Sequence, residues 1–167
     1  MTIGDVLGTV GLLAALGICS WAVMMGTAVL FPKRSSAATD AIRTNPGRTL
    51  LAGFGAFLLV GIVAFAFLSN PLPFSKLLGL ALATGLLAIA AIGAGGLALL
   101  IGERLRTLKP EMTPYDATSI GAALVFLGAL TPVLGTFLLA PASLFVSIGA
   151  GVRALFGREA VARRSEL

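Results

Sequence analysis

The sequence predicts an all-α integral membrane protein, folded as a bundle of apolar helices. Three stretches without a charged residue cover 6–32, 49–75 and 77–102, and a fourth covers 117–152. A helix needs about 20 apolar residues to cross a bilayer, whereas a soluble core helix needs far fewer in succession. Composition agrees, because 57% of the residues are hydrophobic and only 11% are charged. We therefore expect one membrane domain, residues 1–167, with three full transmembrane helices and a longer fourth segment.

The first predicted span covers about residues 6–31 and ends where Pro32 interrupts the apolar run. The chain before it lacks the basic n-region of a signal peptide, and the run is too long for a signal core, so we expect it to persist as an anchor. A short helix capped by Ser35 should follow and end before Pro46. This helix is either a surface helix at the lipid head groups or a solvated loop that sets the topology.

The second and third predicted spans cover about 49–69 and 77–102, with a proline-containing turn and Lys76 between them. Both spans are rich in glycine and alanine, and such small residues let membrane helices approach one another closely. We predict that their glycines pack against other helices of the bundle or against another subunit. The candidates for these contacts are Gly53, Gly79, Gly85, Gly93 and Gly96.

The fourth segment, about 115–156, is too long for one straight crossing and too short for two crossings of ordinary length. Its start is marked by Thr113 and Asp116, which have the spacing of a capping box. Residues that break helices lie farther along, at Thr131, Pro132, Gly135 and Pro141. Two interpretations remain open: a re-entrant hairpin of two short helices, about 115–130 and 136–156, or one long kinked helix.

The basic residues flank the apolar spans, which indicates lipid head groups and membrane topology and argues against nucleic acid as the partner of this +5 chain. Lys and Arg next to spans are retained on the cytoplasmic side. We therefore predict a bacterial inner-membrane protein whose N-terminus is outside and whose basic tail, 157–167, is cytoplasmic. The candidate contacts to anionic head groups are Lys33, Arg34, Arg43, Arg48, Arg104 and Arg106.

The side chains that usually carry chemistry are scarce. The chain has no histidine and a single cysteine, Cys19, so it cannot hold haem, zinc or an iron–sulfur cluster through such ligands. All seven carboxylates lie outside the predicted spans, whereas ion-coupled transporters usually bury an ionisable group there. We therefore predict no enzymatic activity and no catalytic residue. Lipids, apolar pigments or quinones would contact only the apolar surface.

Several segments together resemble an uncharacterised bacterial multi-pass membrane domain that occurs beside or fused to bactofilin-type polymer-forming cytoskeletal proteins. The similarity covers roughly 41–157, and it is carried by the segments 43–48 (RTNPGR), 50–53 (LLAG), 131–135 (TPVLG) and 149–151 (GAG). The resemblance implies attachment to a scaffold and no catalytic residue. We expect no β-helical polymerising module within these 167 residues.

These observations favour a non-catalytic scaffold or accessory subunit of a larger respiratory, photosynthetic or envelope-organising complex, with other integral membrane proteins as partners. The alternative is a channel or an uncoupled small-solute transporter built on the broken fourth segment, where backbone carbonyls could bind ions. A channel needs a continuous polar path. Its candidate lining is Ser20, Thr27, Thr84, Thr131, Ser143 and Ser147.

Overall fold

The computed structural model describes residues 3–131 and 135–164, and these residues form six α-helices and no strand. The predicted all-α class is therefore confirmed. A single π-helical turn, Gly135–Leu139, precedes the last helix. The helices are α1 (Ile3–Leu30), α2 (Pro32–Thr44), α3 (Pro46–Ser69), α4 (Pro73–Leu108), α5 (Pro114–Leu130) and α6 (Ala140–Arg164).

Four helical segments are long and apolar enough to cross a membrane, namely Leu7–Leu30, Pro46–Ser69, Pro73–Leu108 and Phe137–Leu155. Their large apolar side chains point mostly outward, as lipid-facing residues do, and only small parts of each segment are buried within the chain. The protein is therefore an integral membrane protein. The shorter α5 is apolar as well.

Proline begins four of the helices, because its missing N–H is not needed in the first turn and its fixed φ suits the helix. Pro32, Pro46, Pro73 and Pro114 are the first residues of α2 to α5. As a result α3 starts before the predicted residue 49. Helix α4 starts before residue 77 and continues past residue 102.

The fourth segment forms two helices that pack on different neighbours. Helix α5 packs against α4 and α1, whereas α6 packs against α3, α4 and α2. The π-helical turn before α6 packs on the end of α5, where a Cβ on Gly135 would lie only 2.9 Å from the carbonyl oxygen of Ala129. Two of the predicted break residues, Thr131 and Gly135, thus lie at the end of α5 and at the start of the π-helical turn, and Pro132 lies outside the described residues. Pro141 occupies the second position of α6.

Helix α2 is a packed element of the bundle and not a solvated loop. Ala38 and Ile42 on one of its faces form an apolar cluster with Ala150 and Ala154 of α6. The helix begins at Pro32, so Ser35 lies inside it and does not cap it. The predicted cap is wrong because the proline starts the helix one turn earlier. Lys33, Asp40 and Arg43 of this helix are exposed.

Candidate functional site

The closest approaches between helices occur where α6 crosses α3 and α4. A Cβ built on Gly53 of α3 would overlap the carbonyl oxygen of Phe145 and lie 2.7 Å from the amide nitrogen of Gly149. On α4, a Cβ on Gly93 would overlap the carbonyl oxygen of Ser147. Backbone therefore meets backbone at both crossings. Only glycine permits two helices to approach this closely. Such close packing stabilises the pairing of helices in lipid, where no hydrophobic driving force acts between them.

Two more of the predicted glycines lie at other helix pairs. A Cβ on Gly79 would lie 2.9 Å from the carbonyl oxygen of Ala64, where α3 and α4 form a hairpin. A Cβ on Gly96 would lie 2.6 Å from the Cβ of Ala38, where α2 meets α4. The fifth, Gly85, is exposed, and among the described residues nothing lies within 4 Å of a Cβ built on it.

Hydroxyl groups form hydrogen bonds across the same close contacts. Thr39 is buried in α2, and its Oγ1 lies 2.8 Å from the carbonyl oxygen of Gly96. Thr27 of α1 has its Oγ1 3.0 Å from the carbonyl oxygen of Ala91. Ser35 is fully buried and donates to the carbonyl of Thr27 at 3.1 Å. These bonds join α1 and α2 to α4 and satisfy polar groups that lipid would leave unpaired.

Arg153 of α6 is the basic side chain that reaches into the packed region. Its guanidinium donates to the hydroxyl of Thr49 at 2.9 Å and to the carbonyl of Ala41 at 3.3 Å. Ala41 lies in the last turn of α2, where the helix dipole favours a cation, and its carbonyl also accepts from the hydroxyl of Thr49 at 2.9 Å. The bond therefore joins α6 to the junction of α2 and α3.

The six predicted head-group residues lie on α2, on the first turn of α3 and on the last turns of α4. Arg43 pairs with Glu103 at 2.6 Å, which places the first loop and the end of α4 at the same end of the bundle. Arg34 is half-buried and donates to the carbonyl of Ala154 at 3.5 Å. The exposed remainder of the set consists of Lys33, Arg48, Arg104 and Arg106.

The start of α5 is held by the predicted cap. The hydroxyl of Thr113 accepts a hydrogen bond from the backbone N–H of Asp116 at 3.1 Å. The carboxylate of Asp116 in turn accepts from that hydroxyl at 2.6 Å, so it binds the cap side chain. The prediction that Thr113 caps the helix is confirmed. Asp116 binds the hydroxyl of Thr113, whereas in a capping box it would bind the backbone N–H of that residue.

The candidate channel residues do not line one path. Ser20, Ser143 and Ser147 border a cavity of about 350 Å³ among α1, α4, α5 and α6. Thr84 is exposed on α4, and its hydroxyl bonds to the carbonyl of Leu80 in its own helix. Thr131 is exposed and lies directly after the end of α5.

The described residues contain no group of three or more His, Cys, Asp or Glu side chains close enough to hold a metal ion. Cys19 is exposed on α1. The close contacts and hydrogen bonds between helices organise the bundle.

Sequence reasoning missed the polar half of these contacts. Ser35 and Thr39 are four residues apart, so they lie on one face of α2, opposite the glycine pair Gly95 and Gly96. That spacing was the available signal. Arg153 had no such signal, because its partners are a backbone carbonyl and a threonine far away in the chain.

Comparison with protein-family models, with curated proteins and with solved structures gives no match for this chain.

Proposed function

We propose that this protein is a non-catalytic scaffold or accessory subunit of a larger complex in the bacterial inner membrane. Its partners are other integral membrane proteins, in a respiratory, photosynthetic or envelope-organising assembly. The protein contributes a rigid, glycine-packed centre and apolar surfaces on which partner helices pack.

The observation that carries this proposal is the large uncovered surface of two arms. The N-terminal arm is residues 7–16 of α1, all of which are exposed. The hairpin arm consists of residues 54–69 of α3 and 73–87 of α4, most of which are exposed. At its base Phe54 and Phe57 pack edge-on against Phe145 of α6. In the apolar 18-residue window of α3, only 11% of the residues are buried within the chain. Such arms offer far more surface to neighbours than the compact centre does.

Glycines on the arms support a partner protein in addition to lipid. Within the centre, glycine occurs where another helix approaches closely, as at Gly53 and Gly93. Gly55, Gly61 and Gly85 lie on the hairpin arm with nothing within 4 Å of an added Cβ. Glycine weakens a helix by about 1 kcal/mol relative to alanine, so these positions suit the close approach of a partner helix.

The proposed orientation follows from the charges. Arg43 contacts Glu103, and Arg153 contacts Ala41, so the basic first loop, the end of α4 and the end of α6 share one end of the bundle. The positive-inside rule makes that end cytoplasmic. The exposed basic residues there would bind anionic lipids, each contributing about 1 kcal/mol near a charged surface.

The test is purification from the native membrane in nanodiscs, followed by mass spectrometry of the proteins that accompany the chain. Gly85→Leu and Gly61→Leu should abolish stoichiometric recovery of the partner without changing the thermal midpoint of the isolated protein. Leu59→Phe, on the same arm and 69% exposed, is the matched control and should retain the partner. Recovery of the chain alone, or only as a homo-oligomer, would contradict the proposal.

The channel alternative makes a different prediction in liposomes. Flux of a small solute that is lost in Gly135→Ala, with normal assembly, would support transport. The absence of flux in either form, together with loss of the partner in the arm variants, would support the scaffold.

A further inference from the structure

The cavity of about 350 Å³ lies beside the break between α5 and α6. Its walls come from four helices and are largely apolar, and the polar side chains among the described residues that line it are Ser20, Ser143 and Ser147. Its volume is in the range of sites that bind small organic molecules. The cavity is therefore large enough to hold a ligand rather than only a water molecule.

Two of its serines differ from most helical hydroxyls of this protein. Serine and threonine in a helix commonly donate to the carbonyl three or four residues earlier, as Thr27, Thr84 and Ser143 do. The hydroxyls of Ser20 and Ser147 have no hydrogen-bond partner in the part of the chain that the structure describes. Ser147 is only 5% exposed. No side-chain nitrogen or oxygen among the described residues is both buried and unpaired, so these two hydroxyls are accessible and are available to a molecule in the cavity.

The two serines approach the cavity from different helices, Ser20 from α1 and Ser147 from α6. Phe126 and Met24 add an aromatic ring and a polarizable thioether to the lining. Two separate donors on an apolar wall match a molecule with two carbonyl oxygens on an apolar body. An anion does not suit the site, because none of the residues that line it is basic.

The surroundings also accommodate an apolar tail. Leu87 and Leu144 line the cavity and are themselves exposed, so the cavity communicates with the lipid-facing surface. A second cavity of about 310 Å³, between α4, α5 and α6, shares Val125 and Ser143 with the first. Its lining is apolar apart from that shared serine.

We propose that this cavity binds a molecule that carries paired carbonyl oxygens on an apolar body, with the hydroxyls of Ser20 and Ser147 as hydrogen-bond donors. A quinone has this chemistry, and so do the two ester groups of a glycerolipid. The proposal concerns binding and does not depend on the partner complex.

The single tryptophan of the chain provides a direct readout. Trp21 is adjacent to Ser20 and packs against Met24, which lines the cavity. Decylubiquinone is titrated into the purified protein in nanodiscs, and the quenching of tryptophan fluorescence is recorded. We expect saturable quenching at one quinone per chain. Quenching that rises without saturation indicates partition into the bilayer and contradicts quinone binding.

Variants assign the binding to the two hydroxyls. Ser20→Ala and Ser147→Ala each remove one neutral hydrogen bond and should raise the Kd about fivefold. Thr84→Ala, which removes an exposed hydroxyl that already bonds within its own helix, should leave the Kd unchanged. Equal Kd values in all the variants would overturn the assignment of the donors.

The lipid source is distinguished by solvent extraction of the protein purified in mild detergent, followed by mass spectrometry. One glycerolipid per chain, retained by the unmodified protein and by Thr84→Ala but lost in Ser147→Ala, would assign the site to a lipid ester. Saturable quenching with no retained lipid would assign it to a quinone. If the protein retains no glycerolipid and also shows no saturable quenching, the proposal is refuted.

Discussion

Replacement of Gly53 by alanine tests whether the contact between α3 and α6 holds the bundle together. The added Cβ would overlap the carbonyl oxygen of Phe145 and lie 2.7 Å from the amide nitrogen of Gly149, whereas ordinary van der Waals contact begins at 3.4 Å. The obstacles are backbone atoms, which cannot rotate away as a side chain can. The two helices must therefore separate locally by at least 0.7 Å.

That separation weakens every contact along the crossing, including the bond from Arg153 to Thr49 one helical turn from Gly53. Overpacking in a well-packed core costs about 1–3 kcal/mol, and we expect about 3 kcal/mol here because the clash involves backbone. The matched control is Gly55→Ala, on the same helix, where nothing lies within 4 Å of the added Cβ. This control should be neutral or slightly stabilising, because alanine favours helix by up to about 1 kcal/mol.

The assay is reversible unfolding in mixed micelles, in which the sodium dodecyl sulfate fraction is raised while Trp21 fluorescence is followed. Trp21 suits this purpose because its indole N–H donates to the carbonyl of Ser119 in α5 at 3.2 Å, so its environment changes when the bundle opens. We expect an early transition for Gly53→Ala and an unchanged one for Gly55→Ala. Coincident transitions in the two variants would refute the reasoning from backbone contact.

Three further substitutions probe the polar contacts in the same unfolding assay. Thr39→Val keeps the side-chain shape but removes the hydrogen bond to α4, and it should cost about 1 kcal/mol. Arg153→Met removes the hydrogen bonds of the guanidinium to Ala41 and Thr49 and should cost about 1–2 kcal/mol, with partial recovery in Arg153→Lys. Glu103→Gln breaks an ion pair with Arg43 whose side chains are 60% and 50% exposed, and it should cost less than about 1 kcal/mol.

The outcomes that would contradict these predictions differ in each case. Thr44→Val removes an exposed hydroxyl that bonds within α2. If it lowers the free energy of unfolding as much as Thr39→Val does, the bond between helices contributes no more than a bond within one helix. An Arg153→Met protein as stable as the original would show that water replaces the guanidinium at no cost. A large loss in Glu103→Gln would mean that the ion pair is shielded from solvent.

Local features of this fold follow readily from the sequence, because they depend on neighbouring residues. The apolar lengths of the spans, the prolines that begin helices and the cap at Thr113 are of this kind. The pairing of helices is different. Gly53 and Gly55 are the same residue type and lie two positions apart, yet only Gly53 faces α6. This difference depends on where a helix about 90 residues later packs, and neighbouring residues do not reveal it.

The burial of α2 illustrates the same limit. Its polar composition favours a head-group or solvated position when the helix is considered alone. In the fold, the hydroxyls of Ser35 and Thr39 find carbonyl acceptors on α1 and α4, and Ala38 packs on Gly96. These hydrogen bonds stabilise the polar side chains in a buried position. The pairing of donors on α2 with acceptors on other helices cannot be predicted from the sequence of any one of these helices alone.

The position of α6 has a consequence for the biosynthesis of the protein. Helices α1 to α4 leave the ribosome before α6 does, because translation runs from the N-terminus, yet α6 supplies a surface on which α2 and α3 pack. Until residues 140–154 leave the ribosome, Gly53 lacks the helix that packs on it, and Ala38 and Ile42 of α2 lack their partners Ala150 and Ala154. The helices that are made first must therefore remain in the bilayer, or beside an insertion factor, without the packing surface that α6 supplies. A substitution at Gly149 would then act late, by trapping inserted but unassembled chains for proteolysis, and pulse–chase labelling would detect it as normal insertion followed by rapid loss.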